Sequence, residues 1–171
     1  MRTIWLVGMM GAGKSAVGAL LAERLRRGFV DTDTMIERTA GTSIAELFTR
    51  EGEAAFRKRE REAIENVAGG ALVVALGGGA IAQPGTRERL TASGTIVYLR
   101  ARPETLLGRI GDTADRPLLH GVSGKDRLRR IKELLAERSP SYEPASIVVD
   151  TDALEPSEVA DAILGRLRGS P

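Results

Sequence analysis

A glycine-rich pattern of the form G-x-x-x-x-G-K-[ST] occupies residues 8–15, which read Gly-Met-Met-Gly-Ala-Gly-Lys-Ser. It follows the apolar run Thr3–Val7, which is typical of a buried parallel strand, and it precedes apolar positions at the spacing of one helix face. In that context the backbone N–H groups of the loop and the helix N-terminus face a phosphate. A glycine turn that binds nothing is the alternative, and the flanking strand and helix argue against it. The sequence therefore predicts a nucleoside triphosphate site.

Within this phosphate loop (residues 8–15), two side chains have chemical roles of their own. Lys14 can reach the β- and γ-phosphates, and the hydroxyl of Ser15 can hold Mg²⁺. Glycines let the backbone bend so that several N–H groups point inward. The predicted nucleotide contacts are Gly11, Ala12, Gly13, Lys14, Ser15 and Ala16.

Composition limits the classes of partner. The 171 residues suit one α/β domain, and 25 basic against 23 acidic residues argue against a nucleic-acid groove. The absence of cysteine excludes disulfides, thiol catalysis and cysteine-type zinc sites. The N-terminal apolar run is too short for a membrane span, and Lys14 lies where a signal peptide needs its apolar core. We expect a soluble, cytoplasmic protein without a membrane partner.

Strand and helix patterns alternate along the rest of the chain, which predicts a parallel sheet with right-handed crossovers. A polar, glycine-bounded stretch, 111–124, fits neither pattern and is a lid or a surface loop. The further predicted strands are Phe29–Asp31, Ala71–Leu76, Thr95–Leu99 and Ile147–Asp150. The later predicted helices are Ser43–Arg50 and Glu53–Val67 broken at Gly52, one from near Pro84, Pro103–Ile110, one reaching about Arg138 and limited by Pro140, and Pro156–Leu167.

Two carboxylates follow the second predicted strand, in the sequence Asp31-Thr32-Asp33. If the chain stays extended, both side chains lie on one side and face the phosphate loop. One carboxylate can then orient Mg²⁺, and the other can accept a proton from an acceptor hydroxyl. The alternative is that an aspartate only caps the next helix. Spacing alone leaves both interpretations open.

The third predicted strand ends in three glycines, residues 77–79, where many phosphate-binding folds carry a metal-binding aspartate. Such a sequence permits close approach of the backbone, so that N–H groups can bind a ligand. A flexible turn before the next helix is the alternative interpretation.

Three arginines are candidates for binding anions. Arg57 lies in the charged helix 53–67, which is mostly a solvated face with i,i+4 pairs such as Glu53–Arg57, but it follows Phe56 at the edge of the buried face. There it can grip a carboxylate in a bidentate manner. Arg138 lies near a helix end, where a cation is favourable in any case. Arg116, in the lid stretch, can close over a transferring phosphoryl group.

Taken together, six short blocks resemble the shikimate kinase family, in an order and spacing that cover almost the whole chain. They are Gly-Met-Met-Gly-Ala-Gly-Lys-Ser (8–15), Asp-Thr-Asp (31–33), Phe-Arg (56–57), Gly-Gly-Gly (77–79), Arg-Pro-Leu-Leu (116–119) and Arg-Ser-Pro-Ser-Tyr (138–142). The resemblance implies a single three-layer α/β/α P-loop kinase domain over 1–171, with five parallel strands ordered 2-3-1-4-5. It also implies a lid at about 111–124 and a substrate-binding helical region at about 33–61.

The resemblance further implies transfer of the γ-phosphoryl group of ATP to the 3-hydroxyl of shikimate, with Mg²⁺, in aromatic amino-acid biosynthesis. A monomer is sufficient for such a site. The catalytic set it implies is Asp33 as candidate base, Lys14 and Arg116. It implies Asp31 and Ser15 at the metal, and Asp33, Arg57, Gly78, Gly79 and Arg138 at shikimate. It implies Arg109 and the loop from Asp150 to Pro156 at adenine.

Other functions remain as alternatives. Another small-molecule kinase, acting on gluconate or a nucleoside monophosphate, shares the phosphate loop. A GTPase switch would need an N-K-x-D motif, and the sole asparagine, Asn66, lies on a predicted helix. An inactive kinase-like partner would not need the intact set of Lys14, Ser15, Asp33 and Arg116.

Overall fold

The computed structural model of the protein describes residues 2–110, Leu119 and 121–169. Five strands form one sheet in the order β2-β3-β1-β4-β5, and every neighbouring pair is parallel. This confirms the predicted strand order. The strands are β1 (Thr3–Val7), β2 (Phe29–Asp31), β3 (Val73–Ala75), β4 (Gly94–Arg100) and β5 (Ile147–Asp150).

Helices connect the strands and cover both faces of the sheet. All five residues of β1 are buried; Ile4 and Leu6 pack into one core layer, and Trp5 and Val7 into the other. Because both faces of the strand are buried, its sequence is a continuous apolar run. The helices are α1 (Lys14–Leu25), α2 (Thr32–Ala40), α3 (Ile44–Val67), α4 (Thr86–Ser93), α5 (Pro103–Arg109), α6 (Gly124–Tyr142) and α7 (Pro156–Gly169), with a short 3₁₀ turn at Ala80–Ala82.

The two helices α2 and α3 have a small core of their own. Ile36, Leu47, Phe56 and Ala63 form a cluster separate from the two layers that cover the sheet. Gly52 interrupts α3 with a φ of 80° and a ψ of 174°, which confirms the predicted break at this residue. Part of the helix pair thus has an interior of its own, while Ile64 and Val67 at the end of α3 pack into a layer on the sheet.

Three predicted elements differ from the structure. The chain does not stay extended after Asp31: α2 begins at the next residue, because the Asp31 carboxylate accepts hydrogen bonds from the backbone N–H groups of Asp33 and Thr34. The strand predicted at Ala71–Leu76 is limited to Val73–Ala75.

The third difference is at the end of α6, which continues through Pro140 to Tyr142 instead of ending near Arg138. Proline removes one helix hydrogen bond, but neighbouring groups hold this last turn. The Ser139 hydroxyl donates to the carbonyl of Leu135, and Arg87 donates to the carbonyls of Ser141 and Pro144. Tertiary contacts therefore outweigh the local preference of proline.

None of the helices in the described ranges is long and apolar enough to cross a lipid bilayer.

Candidate functional site

The site lies where three adjacent strands end. Asp31 of β2 is level with Ala75 of β3, and Ala75 is level with Leu6 of β1. The chain segments that follow these strands therefore start side by side at the carboxyl edge of the sheet, which is where open α/β sheets bind ligands. They are the start of α2, residues 77–79, which we name the glycine turn, and the phosphate loop.

The phosphate loop leads directly into α1. Gly11 has a φ of 80°, and Gly13 a φ of 90°, so both residues adopt the left-handed conformation that favours glycine. The Lys14 ammonium donates to the carbonyls of Gly8 and Met9, with Nζ–O distances of 2.8 and 3.1 Å. Ala12 is buried, and its N–H donates to the carbonyl of Met9. The strand–loop–helix arrangement predicted for this segment is confirmed.

A cavity of about 440 Å³ opens beside this loop. Most of the predicted nucleotide and metal residues line it, together with Asp33 and two residues that the sequence did not single out, Glu37 and Thr34. The predicted residues in its wall are Gly11, Gly13, Lys14, Ser15, Ala16, Asp31, Asp33 and Arg109.

Asp31 has two roles, one for each carboxylate oxygen. Its Oδ1 caps α2, and its Oδ2 accepts a hydrogen bond of 2.5 Å from the Ser15 hydroxyl. Spacing alone left a helix cap and a metal-orienting carboxylate as alternatives; the structure shows the cap for Asp31, and its role at the metal stays a prediction. The arrangement places a hydroxyl and a carboxylate, two hard oxygen ligands, together at the phosphate loop.

Thr32, between the two aspartates, ties α2 to the glycine turn. Its buried hydroxyl accepts from the N–H of Gly77 at 3.1 Å and donates to the carbonyl of Ala75 at 3.3 Å. A Cβ at Gly77 would lie 2.7 Å from Oδ1 of Asp33 and 2.8 Å from Oε1 of Glu60. Only glycine therefore leaves room for both carboxylates.

The next two glycines approach the two candidate arginines in the same way. A Cβ at Gly78 would lie 3.3 Å from Nη1 of Arg138, and a Cβ at Gly79 would lie 2.9 Å from Nη1 of Arg57. The glycine turn therefore brings Asp33, Arg57 and Arg138 to one place, although they belong to α2, α3 and α6.

Buried Glu60 holds Arg57 in place. Arg57 Nη1 lies 2.6 Å from Glu60 Oε2, and Nη2 lies 2.9 Å from Glu53 Oε1, so the predicted Glu53–Arg57 pair is present. The Arg57 side chain is 14% exposed and that of Glu60 only 3%. Burial opposes the charge of Arg57, but the two carboxylates outweigh it and raise its pKa. Burial also raises the pKa of Glu60, against the opposing effect of Arg57.

Sequence reasoning missed Glu60 because it lies in a run of charged residues. Its helical position contains the signal: four residues after Phe56 and four before Ile64, it shares the buried face of α3. Arg138 is likewise buried, at 7% exposure, with Nη1 3.9 Å from the sulfur of Met9. The guanidinium groups of Arg57 and Arg138 thus lie together at the glycine turn, where their N–H donors match the oxygens of a carboxylate ligand.

Arg109, which also lines the cavity, is fixed to the segment after β5. Its guanidinium donates to the hydroxyl and the carbonyl of Thr151, at 2.9 and 2.5 Å. Thr151 lies inside the predicted loop from Asp150 to Pro156, whose last residue begins α7. Arg116 and most of the predicted lid lie outside the described residues.

Comparison with known families gives a clear match. The sequence model of the shikimate kinase family matches residues 10–168. A shikimate kinase of Symbiobacterium thermophilum is 45% identical over 169 residues, which are 96% of this chain and 95% of that protein.

Solved structures of shikimate kinases also resemble this chain. The shikimate kinase from Acinetobacter baumannii in complex with shikimate superposes with a TM-score of 0.93 at 39% identity, covering 98% of this chain and 93% of that one. A gluconokinase from Sinorhizobium meliloti has a TM-score of 0.59 at 21% identity, covering 97% and 93% of the two chains, so it shares the fold alone.

Proposed function

Since this chain belongs to the shikimate kinase family and phosphorylates shikimate with ATP in aromatic amino-acid biosynthesis, we propose that the reaction takes place between the phosphate loop and the glycine turn. The acceptor in this proposal is the 3-hydroxyl of shikimate. The observation that carries it is the convergence of Asp33, Arg57 and Arg138 on the glycine turn, beside the cavity of the phosphate loop.

In this proposal the phosphate loop holds the donor. Backbone N–H groups and the N-terminus of α1 bind the phosphates of ATP. Lys14 moves from the carbonyls of Gly8 and Met9 to the β- and γ-phosphates, where its charge stabilises the transferring group. Arg116, outside the described residues, remains the predicted cation of the lid at the same phosphates.

The residues present suit Mg²⁺. Its usual protein ligands are one or two oxygen groups, with the substrate phosphates and water completing the shell. The Ser15 hydroxyl and the Asp31 carboxylate supply such groups. When bound, Mg²⁺ neutralises charge on the phosphates.

In this proposal the acceptor, shikimate, binds at the glycine turn. The carboxylate of shikimate binds to Arg57 and Arg138, and the backbone of Gly78 and Gly79 contacts the ring. Asp33 accepts a hydrogen bond from the acceptor hydroxyl and receives its proton as the oxygen attacks the γ-phosphorus, while the bond from that phosphorus to the bridging oxygen breaks and ADP leaves. Orientation of the two substrates and the cationic charge around the phosphoryl group then supply most of the catalysis.

Adenine lies at the far end of the cavity in this proposal. Arg109, whose guanidinium is held by Thr151, packs against the base, and the segment from Asp150 to Pro156 lines its edge. One chain supplies every group named, so we propose that the monomer is the active unit. A cytoplasmic location likewise remains a prediction.

The acceptor can be tested with a coupled assay of ADP release. Purified protein with Mg-ATP is given shikimate, gluconate, a nucleoside monophosphate or water alone, and the product is examined by mass spectrometry and by ³¹P–¹H correlation NMR. We expect ADP release with shikimate and a phosphate on the 3-oxygen. Release no faster than with water contradicts the function, and a phosphate on another oxygen contradicts the placement of the acceptor.

A further inference from the structure

Tyr142 ends α6 and lies one helical turn after Arg138, so the two side chains share a face of the helix. It is fully buried. Its motif, Arg-Ser-Pro-Ser-Tyr, contributed only the arginine to the proposed site. A tyrosine in such a position needs a partner for its hydroxyl, because a buried hydroxyl without one is costly.

The Tyr142 hydroxyl donates a hydrogen bond to the carbonyl of Gly78, a residue of the proposed shikimate site. The guanidinium of Arg138 lies beside the same glycine, with Nη1 3.3 Å from the place that a Cβ of Gly78 would take. Burial raises the pKa of Tyr142 to about 12, so the hydroxyl keeps its proton at any physiological pH. The hydroxyl thus ties the last turn of α6, which follows Arg138, to the glycine turn.

Tyr98 gives a matched comparison within the same stack. The two rings lie 5.0 Å apart at 27°, and Tyr98 is also buried. Its hydroxyl, however, lies near Ser139 of α6, whose own proton goes to the carbonyl of Leu135. Within the described residues, only the Tyr142 hydroxyl of this pair donates to the glycine turn.

We propose that the Tyr142 hydroxyl is a positioning group for shikimate, which fixes the carbonyl of Gly78, and with it the glycine turn, against the end of α6, the helix that carries Arg138. This inference rests on the proposed function, in which the glycine turn and Arg138 contact the acceptor. With the hydroxyl removed, the turn is no longer tied to this helix, and shikimate has to order the two on binding. The effect belongs to shikimate and not to ATP, whose phosphates are held by the phosphate loop.

The test compares Tyr142→Phe with Tyr98→Phe. Each substitution removes one hydroxyl and keeps its ring in the stack, and the contacts of Arg87 still hold the end of α6. We expect Tyr142→Phe to raise both the calorimetric Kd and the KM for shikimate about tenfold, with KM for ATP within about twofold. Tyr98→Phe is expected to leave both shikimate constants unchanged. Thermal unfolding shows whether each variant is folded.

Two results would overturn the inference: an unchanged shikimate Kd in Tyr142→Phe, or equal increases in both variants. Arg138→Lys distinguishes this from a failure of the proposed function. If Arg138→Lys weakens shikimate binding and Tyr142→Phe does not, only the role of Tyr142 is wrong. If Arg138→Lys has no effect either, the proposed acceptor site itself is wrong.

A second measurement uses the unaltered sequence and does not depend on the Phe variant of Tyr142. The chain has two tyrosines, so labelling with 3-fluorotyrosine gives two ¹⁹F resonances, and Tyr98→Phe assigns both of them. Shikimate, added without nucleotide, is expected to shift the Tyr142 resonance and to leave that of Tyr98 nearly unchanged. Equal shifts, or no shift at Tyr142, would contradict the proposal.

Discussion

The phosphate loop and the glycine turn are both glycine-rich segments that follow neighbouring strands, yet they need glycine for different reasons. In the phosphate loop, Gly11 and Gly13 have positive φ, so the backbone conformation itself excludes most side chains. Residues 77–79 have no positive φ. There the space of each Cβ is occupied by charged side chains from other elements.

This difference shows how the two halves of the site are built. In the donor half the phosphate cradle is local, because eight consecutive residues contain its conformation together with Lys14 and Ser15. The acceptor half is assembled from distant segments that meet only in the folded chain. Substitutions at the two segments should therefore fail in different ways.

A substitution of Asp33 should impair phosphoryl transfer and leave nucleotide binding intact, and it has the largest expected effect. Asp33→Asn keeps the size of the side chain but removes the proton acceptor, so we expect kcat to fall about 10²–10⁴-fold. The affinity for an ATP analogue, measured by calorimetry, should be unchanged because the phosphate loop is intact. Lys14→Met is the opposite control, in which nucleotide affinity falls. A loss of nucleotide affinity in Asp33→Asn would place Asp33 in the donor half.

Alanine in each segment tests the two uses of glycine. Gly11→Ala forces a Cβ to within 2.9 Å of the Leu106 carbonyl at a φ of 80°, so we expect a loss of about 1–3 kcal/mol in the free energy of unfolding, together with weaker ATP binding. Gly79→Ala displaces the guanidinium of Arg57 instead. Its KM for shikimate should rise about tenfold, with a stability change below about 1 kcal/mol. Chemical denaturation and steady-state kinetics measure both, and an unstable Gly79→Ala would contradict the distinction.

Glu60 gives the acceptor half a pH dependence of its own. Protonation of this carboxyl removes the charge that holds Arg57, and its pKa lies above the ordinary 4.5. As pH falls from neutrality, KM for shikimate should therefore begin to rise at a higher pH than it would if Glu60 had the ordinary pKa of a glutamate. KM for ATP should change less.

Glu60→Gln tests the origin of that rise. It keeps the shape of the side chain without a charge, so KM for shikimate should be about tenfold higher at neutral pH and nearly independent of pH below it. If the variant keeps the same pH profile as the unaltered protein, another group is responsible.

Sequence reasoning was most successful where the information is local. The phosphate loop, the break at Gly52 and the alternation of strands and helices follow from neighbouring residues, and the strand order followed from resemblance. Glu60 was missed because the charged residues around it indicate a solvated helix face. Its spacing of four residues from Phe56 and from Ile64 nevertheless places it on the buried face. The turn into α2 at Thr32 and the helix through Pro140 depend on caps and tertiary contacts, which local propensity does not contain.

The separate core of α2 and α3 has a consequence for changing the enzyme. These two helices carry Asp33, Arg57 and Glu60, yet Ile36, Leu47 and Phe56 pack among themselves, away from the layers that cover the sheet. Substitutions among these packed residues therefore adjust the position of Asp33 and Arg57 without repacking the layer that contains Leu6, Val17 and Leu21 below the phosphate loop. The end of α3, where Ile64 and Val67 pack into a layer on the sheet, instead anchors the helix pair to the rest of the fold.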